Sequence, residues 1–314
     1  MFPSSYSLLD TRRGDFVLNA QTLAAMLAVG NQWFVNELTG SDSNVGSSAQ
    51  PFATLDAAIA AAVANNGDIV WLNGSSHRTS TLNWNKNGVS LISMEAPSNN
   101  GRGRISSTGA TAFSPMVDVT GVGCSFIGIG TFHGGFTGAT GSQVCWAEAG
   151  GRNYYQNVQF LGGGDATTAA LAGMRSLTIG GQGENLLEGC TIGLDTIVRA
   201  TAANASLEMI AGTARNTIRR TMFQADCSDS GDTHILIKSG GMDRWLWLDE
   251  CAFQDFGATM TAAISNAGGS PGGNVIVGPS CIFIGSAVSA SGAVYVGQIS
   301  AAGAATTNIG IEAS

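Results

Sequence analysis

The feature that most limits what this chain can fold into is a short element that returns at almost even spacing. It consists of a small or β-branched residue, any residue, then a large apolar one. The copies are Val89-Ser90-Leu91, Cys124-Ser125-Phe126, Val158-Gln159-Phe160, Cys190-Thr191-Ile192, Thr221-Met222-Phe223, Cys251-Ala252-Phe253 and Cys281-Ile282-Phe283, with intervals that shrink from 35 to 30 residues. A repeat of this length marks a solenoid, a propeller or an array. Short β-favouring stretches separated by Gly and Asn turns leave no room for a crossover helix, so βαβ units are excluded. The expected fold is all-β: a solenoid with two or three short strands in each coil of about 30–35 residues, coil stacked on coil.

Stacking places equivalent residues about 4.8 Å apart and gives the other columns a meaning. Asn153, Asn185 and Asn216 each stand seven residues before an anchor. Just ahead of that column come Arg152, Glu184, Arg215 and Asp243, alternating in sign. Glu188, Arg219 and Asp249 alternate again four residues before the anchors, and Glu250 falls opposite Arg220. Such alternation is expected of ion ladders, because like charges directly opposite each other repel. Cys124, Cys190, Cys251 and Cys281 share the first anchor position and read as buried small hydrophobes. Cys251 and Cys281 fall in adjacent coils, within reach of a disulfide. With no leader sequence pointing to an oxidising compartment, free thiols are expected. Trp245-Leu246-Trp247-Leu248 aligns with Val275-Ile276-Val277-Gly278, which puts both tryptophans in line with valines. That reads as an apolar contact face rather than a sugar platform.

Ahead of the repeats, Trp33-Phe34-Val35-Asn36 reads as a strand and Gly40-Ser41-Asp42-Ser43-Asn44-Val45-Gly46 as a polar loop. A helix is expected over 54–65, with Thr54 as N-cap, Asp56 in the positive first turn and Leu55, Ile59 and Val63 as its apolar stripe. Asp68-Ile69-Val70-Trp71-Leu72 reads as the next strand. The open end of a solenoid is an exposed β edge, and this helix is suited to cover it.

From Trp33 to Gly74 the chain resembles the opening of right-handed parallel β-helix proteins of the pectate-lyase-like superfamily. The resemblance rests on the strand ending at Asn36, the Gly40–Asn44 loop, Pro51-Phe52-Ala53-Thr54-Leu55, the Ala-rich helix and Gly67-Asp68-Ile69-Val70-Trp71-Leu72. It implies a right-handed parallel β-helix over 33–297 with a capping helix. Residues 1–32, which carry the cluster Arg12, Arg13 and Asp15, stand outside the repeat and are expected to form an N-terminal attachment arm or to pack along the side of the rod, with attachment favoured by their irregular composition; 298–314 is expected to be a C-terminal tail or end cap. The superfamily includes glycan lyases, hydrolases and epimerases as well as virion proteins, so the resemblance speaks for fold more than activity.

Charge decides between function classes. Only 11% of residues are charged, against about a quarter in an ordinary domain. A net charge of −8 excludes the clustered Lys/Arg of a nucleic-acid surface. The longest apolar run, Ala57 to Ala64, is too short for a membrane span. No basic residue precedes Arg12, so no secretion leader is expected. The six cysteines contain no Cys-x-x-Cys, and the three histidines, His77, His133 and His234, fall in different registers, so neither zinc nor a general base is read from them. No organic cofactor is expected.

Once the ladder acids are set aside, few carboxylates remain. Glycan hydrolysis needs two of them 5–10 Å apart. The catalytic candidates are Asp226, Glu250 and Asp255, which adjacent coils could bring to one groove. Asp226, Asp229 and Asp232 form a candidate calcium loop, because calcium accepts oxygen ligands in flexible geometry. The leading expectation is structural: a bacteriophage virion surface protein, a capsid decoration or spike. It would be homotrimeric, assembled in the host cytoplasm and anchored by residues 1–32 to partners such as the major capsid protein. The alternative is a tailspike-type polysaccharide depolymerase or lyase acting on host surface glycans.

Overall fold

The computed structural model describes residues 30–94, 103–107, 111–134, 136, 141–201, 204–210, 212–257, 259–266, 274–291 and 294–296. The attachment-arm cluster Arg12, Arg13 and Asp15 and the tail 298–314 lie outside the described residues.

From the strand Ile69–Leu72 onward the chain winds through three parallel sheets in the order first, second, third; the earlier strand Gln32–Val35 also lies in the first sheet. The first sheet has ten strands, the second nine and the third eight. Each strand pairs with its counterpart one coil earlier and one coil later, so the backbone of the strands is satisfied between coils. The fold is a parallel β-solenoid, with two short helices among the described residues. One of them, Leu55–Ala61, is N-capped by Thr54, whose hydroxyl accepts from the Ala57 N–H at 3.2 Å. Leu55, Ala58 and Ile59 are buried in the core against the first coils. The helix stops sooner than its stripe suggested: Val63 lies beyond it and is 51% exposed. The other helix, Ala166–Ala169, occupies a loop between the second and third sheets, capped by Asp165.

Inward residues of all three sheets fill one continuous apolar axis. The stacking is visible in the rings: Phe223 and Phe253 lie 4.5 Å apart at 7°, and Phe253 and Phe283 4.5 Å apart at 1°. A large side chain wholly removed from water contributes roughly 1.5–3 kcal/mol, and here the removal is repeated at every coil.

The sequence register holds for the later coils and slips in the earlier ones. Phe160, Ile192, Phe223, Phe253 and Phe283 are all on the second sheet. Leu91 and Phe126 instead belong to the first sheet, where Phe126 pairs with Tyr155 and their rings stack at 5.0 Å. One repeat motif thus occurs on two neighbouring sheets. The reason is that each sheet asks for the same thing, an inward apolar residue after a tight corner. Cys124 accordingly precedes the strand Ser125–Ile127 of the first sheet, while Cys190, Cys251 and Cys281 share a column on the second.

A one-residue slip also corrects the tryptophan alignment. Leu246 pairs with Val275 and Leu248 with Val277, all inward, while Trp247 pairs with Ile276 on the outer face. Because side chains alternate along a strand, that single residue moves both tryptophans out of the valine columns.

Candidate functional site

Two corners of each coil are tight, and the residues that make them set the charges in place. Between the third and first sheets, Arg152, Glu184 and Arg215 each adopt a left-handed backbone, with φ of 56°, 60° and 52°. Between the first and second sheets, Asn157, Gly189, Arg220 and Glu250 do the same, with φ of 52°, 63°, 52° and 51°. Non-glycine residues in this region cost roughly 1–2 kcal/mol each. The corners recur at these levels because stacked hydrogen bonds tie equivalent backbone groups from coil to coil. At the second corner the N–H groups of Asn157, Gly189 and Arg220 donate to the carbonyls of Glu188, Arg219 and Asp249 one coil on.

Just after the first corner the asparagine column forms a buried ladder. The N–H of Cys124 donates to Asn153 Oδ1 at 2.7 Å, that of Asn153 to Asn185 Oδ1 at 3.0 Å, and that of Asn185 to Asn216 Oδ1 at 3.2 Å. Glu148 closes its lower end, accepting from Asn153 Nδ2, the Gly151 N–H and the Tyr155 hydroxyl. Burial raises the Glu148 pKa against the pull of those bonds.

The ion ladders form in part. Glu184 binds Arg152 at 2.7 Å and Arg215 at 2.7 Å. The expected fourth rung is absent: Trp245 stands opposite Arg215, whose guanidinium lies over the indole at 6.0 Å, and Asp243 pairs with Arg244 at 3.0 Å. Glu188 receives Arg219 at 3.0 Å, the Tyr154 hydroxyl at 3.0 Å and Arg220 as well. Arg220 therefore turns away from Glu250, and neither Asp249 nor Glu250 makes an ion pair among the described residues. The outcome follows from distance along the rod: Glu188 lies one coil below both arginines and can satisfy them together.

The third corner, between the second and third sheets, holds the wider loops and a buried polar nest. Arg199 and Asp232 face each other at 3.6 Å, and Arg199 also donates to Ser206 Oγ, the Thr233 carbonyl and Cys227 Sγ. Burial pushes the Asp232 carboxyl up to about 6 against the attraction of Arg199. Nearby, Glu208 binds Arg175 at 2.7 Å and Lys238 at 2.5 Å. His234 is fully buried beside Phe223 and Phe253, and burial holds it neutral, well below the usual histidine range. His133 is likewise buried, between Phe113 and Phe136, and pushed down to about 4. The sequence gives no sign of this burial, since a lone histidine in a β stretch does not show which way it points. His77 is exposed and lies 2.8 Å from Glu37.

These positions locate the candidate carboxylates. Asp255 is buried, its oxygens accepting from the N–H groups of Cys227, Gly257, Thr259 and Met260. It ties a loop to the coil below. Asp226 points to the opposite side of the second sheet and is half-buried, while Glu250 sits at the corner before that sheet. Asp232 faces inward to Arg199, and Asp229 Oδ1 accepts from the Gly231 N–H at 2.9 Å. Among the described residues no three His, Cys, Asp or Glu side chains are grouped so as to hold a metal ion. Cys251 and Cys281 are free thiols.

Neither a protein-family model nor a curated protein matches this sequence. The fold does find relatives among solved structures. Pectate lyase Pel9A superposes with a TM-score of 0.56 and 16% identity, covering 80% of this chain and 62% of the lyase. The chain has the right-handed parallel β-helix fold of pectate-lyase-like proteins. A rhamnogalacturonan lyase superposes on this β-helix with a TM-score of 0.50 and 16% identity, over 79% of this chain and 73% of that one. The β-helix thus spans less than two thirds of the pectate lyase, and at this identity the likeness concerns the architecture alone.

Proposed function

We propose that this β-helix is a non-catalytic structural rod, a capsid decoration or spike protein on the surface of a bacteriophage virion, homotrimeric and attached through residues 1–32. The observation that carries the structural role is how the acids are used. Glu184, Glu188, Glu208 and Asp232 each face arginine, Asp255 accepts four backbone N–H groups, and Asp68 accepts from Asn31, Trp33, Val63 and Asn66. A carboxylate held this way orders a corner of the rod, its oxygens engaged by the chain's own donors.

Co-sedimentation of the full chain with phage particles tests the role. Binding that is lost on removing residues 1–32 is expected. A chain that binds neither heads nor tails overturns the reading.

A second reading is favoured by Asp226 and Glu250, which make no ion pair among the described residues: a polysaccharide depolymerase or lyase acting on host glycans. Release of oligosaccharides from capsular or lipopolysaccharide preparations, abolished by Asp226→Asn or Glu250→Gln, supports it over the structural role. If no oligosaccharide is released, the enzymatic reading fails.

A further inference from the structure

The outward side chains of the first sheet change character half-way along the rod. One row, fixed by the strand register, runs Phe34, Trp71, Ile92, Ile127, Gln156, Glu188, Arg219 and Asp249, one residue per coil. Its last four members are polar, as a solvated face requires. Its first four are large and apolar, and with Ile69 they form a cluster separate from the axis. Val70, Leu91 and Phe126, their neighbours along the strands, point into the axis, so the cluster lies on the outside of the sheet. Yet it is dry: Ile92 is fully buried, and Ile69, Ile127 and Trp71 are 4%, 5% and 8% exposed. Trp247, on the outer face of the same sheet further along, is 47% exposed. The Trp71 indole N–H needs no water, since it donates to Gln32 Oε1 at 3.0 Å. Among the described residues the cluster draws only on the first sheet, so its cover comes from another part of the chain or from another molecule.

We infer that the segment 16–29 of this same chain docks along this face and covers it. The described course of the chain begins at the foot of the face: the Asn31 N–H donates to Asp68 Oδ1 at 2.8 Å, and Asp68 immediately precedes Ile69. Gly30 is pressed so close that an added Cβ would fall 2.4 Å from the Asn66 carbonyl oxygen, which fixes where the preceding segment joins. From Phe16 to Val29 there is no charged residue. Phe16, Val17 and Leu18 are followed by Leu23, Met26 and Leu27, whose spacing is that of one helix face. The apolar part of the row spans three steps between coils, about 14 Å. Residues 21–29 measure about 13 Å at the rise of a helix, so the lengths match. The other segments outside the described residues do not suit the place. Segment 95–102, which follows the strand Ser90–Ser93, has Ala96 and Pro97 as its only apolar members. Segments 108–110 and 137–140 join the second sheet to the third and contain only Thr, Gly and Ala, and segment 297–314 follows the last coil. A second rod laid alongside would extend past Ile127 over Glu188 and Arg219, whose ion pair it would have to desolvate at a cost. The inference goes beyond the structural role proposed above and does not depend on it. It confines the part of the N-terminus left for attachment to residues 1–15, which hold Arg12, Arg13 and Asp15.

The test replaces Trp71 by p-benzoylphenylalanine in the full chain, one aromatic side chain for another, and irradiates the purified protein. Fragmentation of the cross-linked peptides should place the link within residues 16–29 of the same polypeptide. Hydrogen exchange of the unaltered full chain, read by mass spectrometry, is the second measurement and needs no substitution to fold. The amides of 16–29 should exchange on the order of tenfold or more slowly than those of an unstructured peptide. Leu23→Asp combined with Leu27→Asp should release them while the strand Ile69–Leu72 stays protected. Cross-links confined to 95–102 or to a second polypeptide overturn the inference. So does complete exchange of 16–29 in the unaltered chain at the earliest times. Deleting residues 1–15 should leave the protection of 16–29 intact, and particle co-sedimentation of that variant reads the structural role separately.

Discussion

The backbone N–H of Asn153 donates to the side-chain oxygen of Asn185, one coil away, at 3.0 Å, and both residues are buried. Asn185 repeats the arrangement with Asn216 and also donates from its Nδ2 to the same oxygen at 3.1 Å. The side chain of each coil thus completes the corner of the coil before it.

Replacing Asn185 by Ala leaves the Asn153 N–H buried without an acceptor. The expected loss is on the order of 1–3 kcal/mol, with more for Asn185→Leu, whose side chain is also forced into a polar column. Urea unfolding followed by circular dichroism reads it. A loss below about 0.5 kcal/mol would show that water or a rearranged corner replaces the ladder.

The strand Trp245–Asp249 separates the two faces cleanly. Leu246 is fully buried and Trp247 is 47% exposed. Leu246→Ala should cost about 2–5 kcal/mol by removing core contacts and leaving a cavity. Trp247→Ala, although it deletes a larger side chain, should change the melting midpoint far less. Comparable losses in the two variants would contradict the register that pairs Leu246 with Val275.

Acid should weaken the rod through its buried histidines. Folded His133 has a pKa of about 4, whereas an unfolded histidine titrates near 6.5. Its contribution is therefore fully present above pH 6.5 and is lost as pH falls towards 4, worth on the order of 3 kcal/mol at the end of that window. His234, held still lower by burial, acts in the same direction. Asp232 opposes both: with its pKa raised to about 6, the folded state gains a proton before the unfolded state does. Melting temperatures between pH 7 and 4.5 should fall, and His133→Gln should flatten the slope. Asp232→Asn should steepen it. A slope unaffected by His133→Gln would mean that the His133 ring reaches water.

All six cysteines are buried and free, and burial pushes Cys124 up to about 11 and Cys145, Cys190 and Cys227 up to about 12. Thiolates, not thiols, react with disulfide reagents. At pH 8 the native chain should show less than one reactive thiol in a DTNB assay, and all six after denaturation. Four after denaturation without reductant would place a bond between Cys251 and Cys281.

The even return of small and large apolar residues was enough to read a parallel solenoid, and the columns of asparagine, arginine and glutamate were legible with it. Those features are periodic, and a coil can satisfy its backbone only against an equivalent coil, so period and fold are tied. The sequence could not say which sheet an anchor occupies. Leu91 and Phe126 share the motif of Phe160 but lie one corner earlier, because the first and second sheets impose the same local pattern. It could not place Trp247 either, since a shift of one residue in the pairing of Trp245–Asp249 reverses the strand's faces. The choice of Glu188 over Glu250 by Arg220, and the burial of Asp255, His133 and His234, depend on loops of unequal length at the third corner and on side chains meeting from different coils. Periodicity determined the rod, and only the three-dimensional register decided which of its few charges are locked inside and which row faces water.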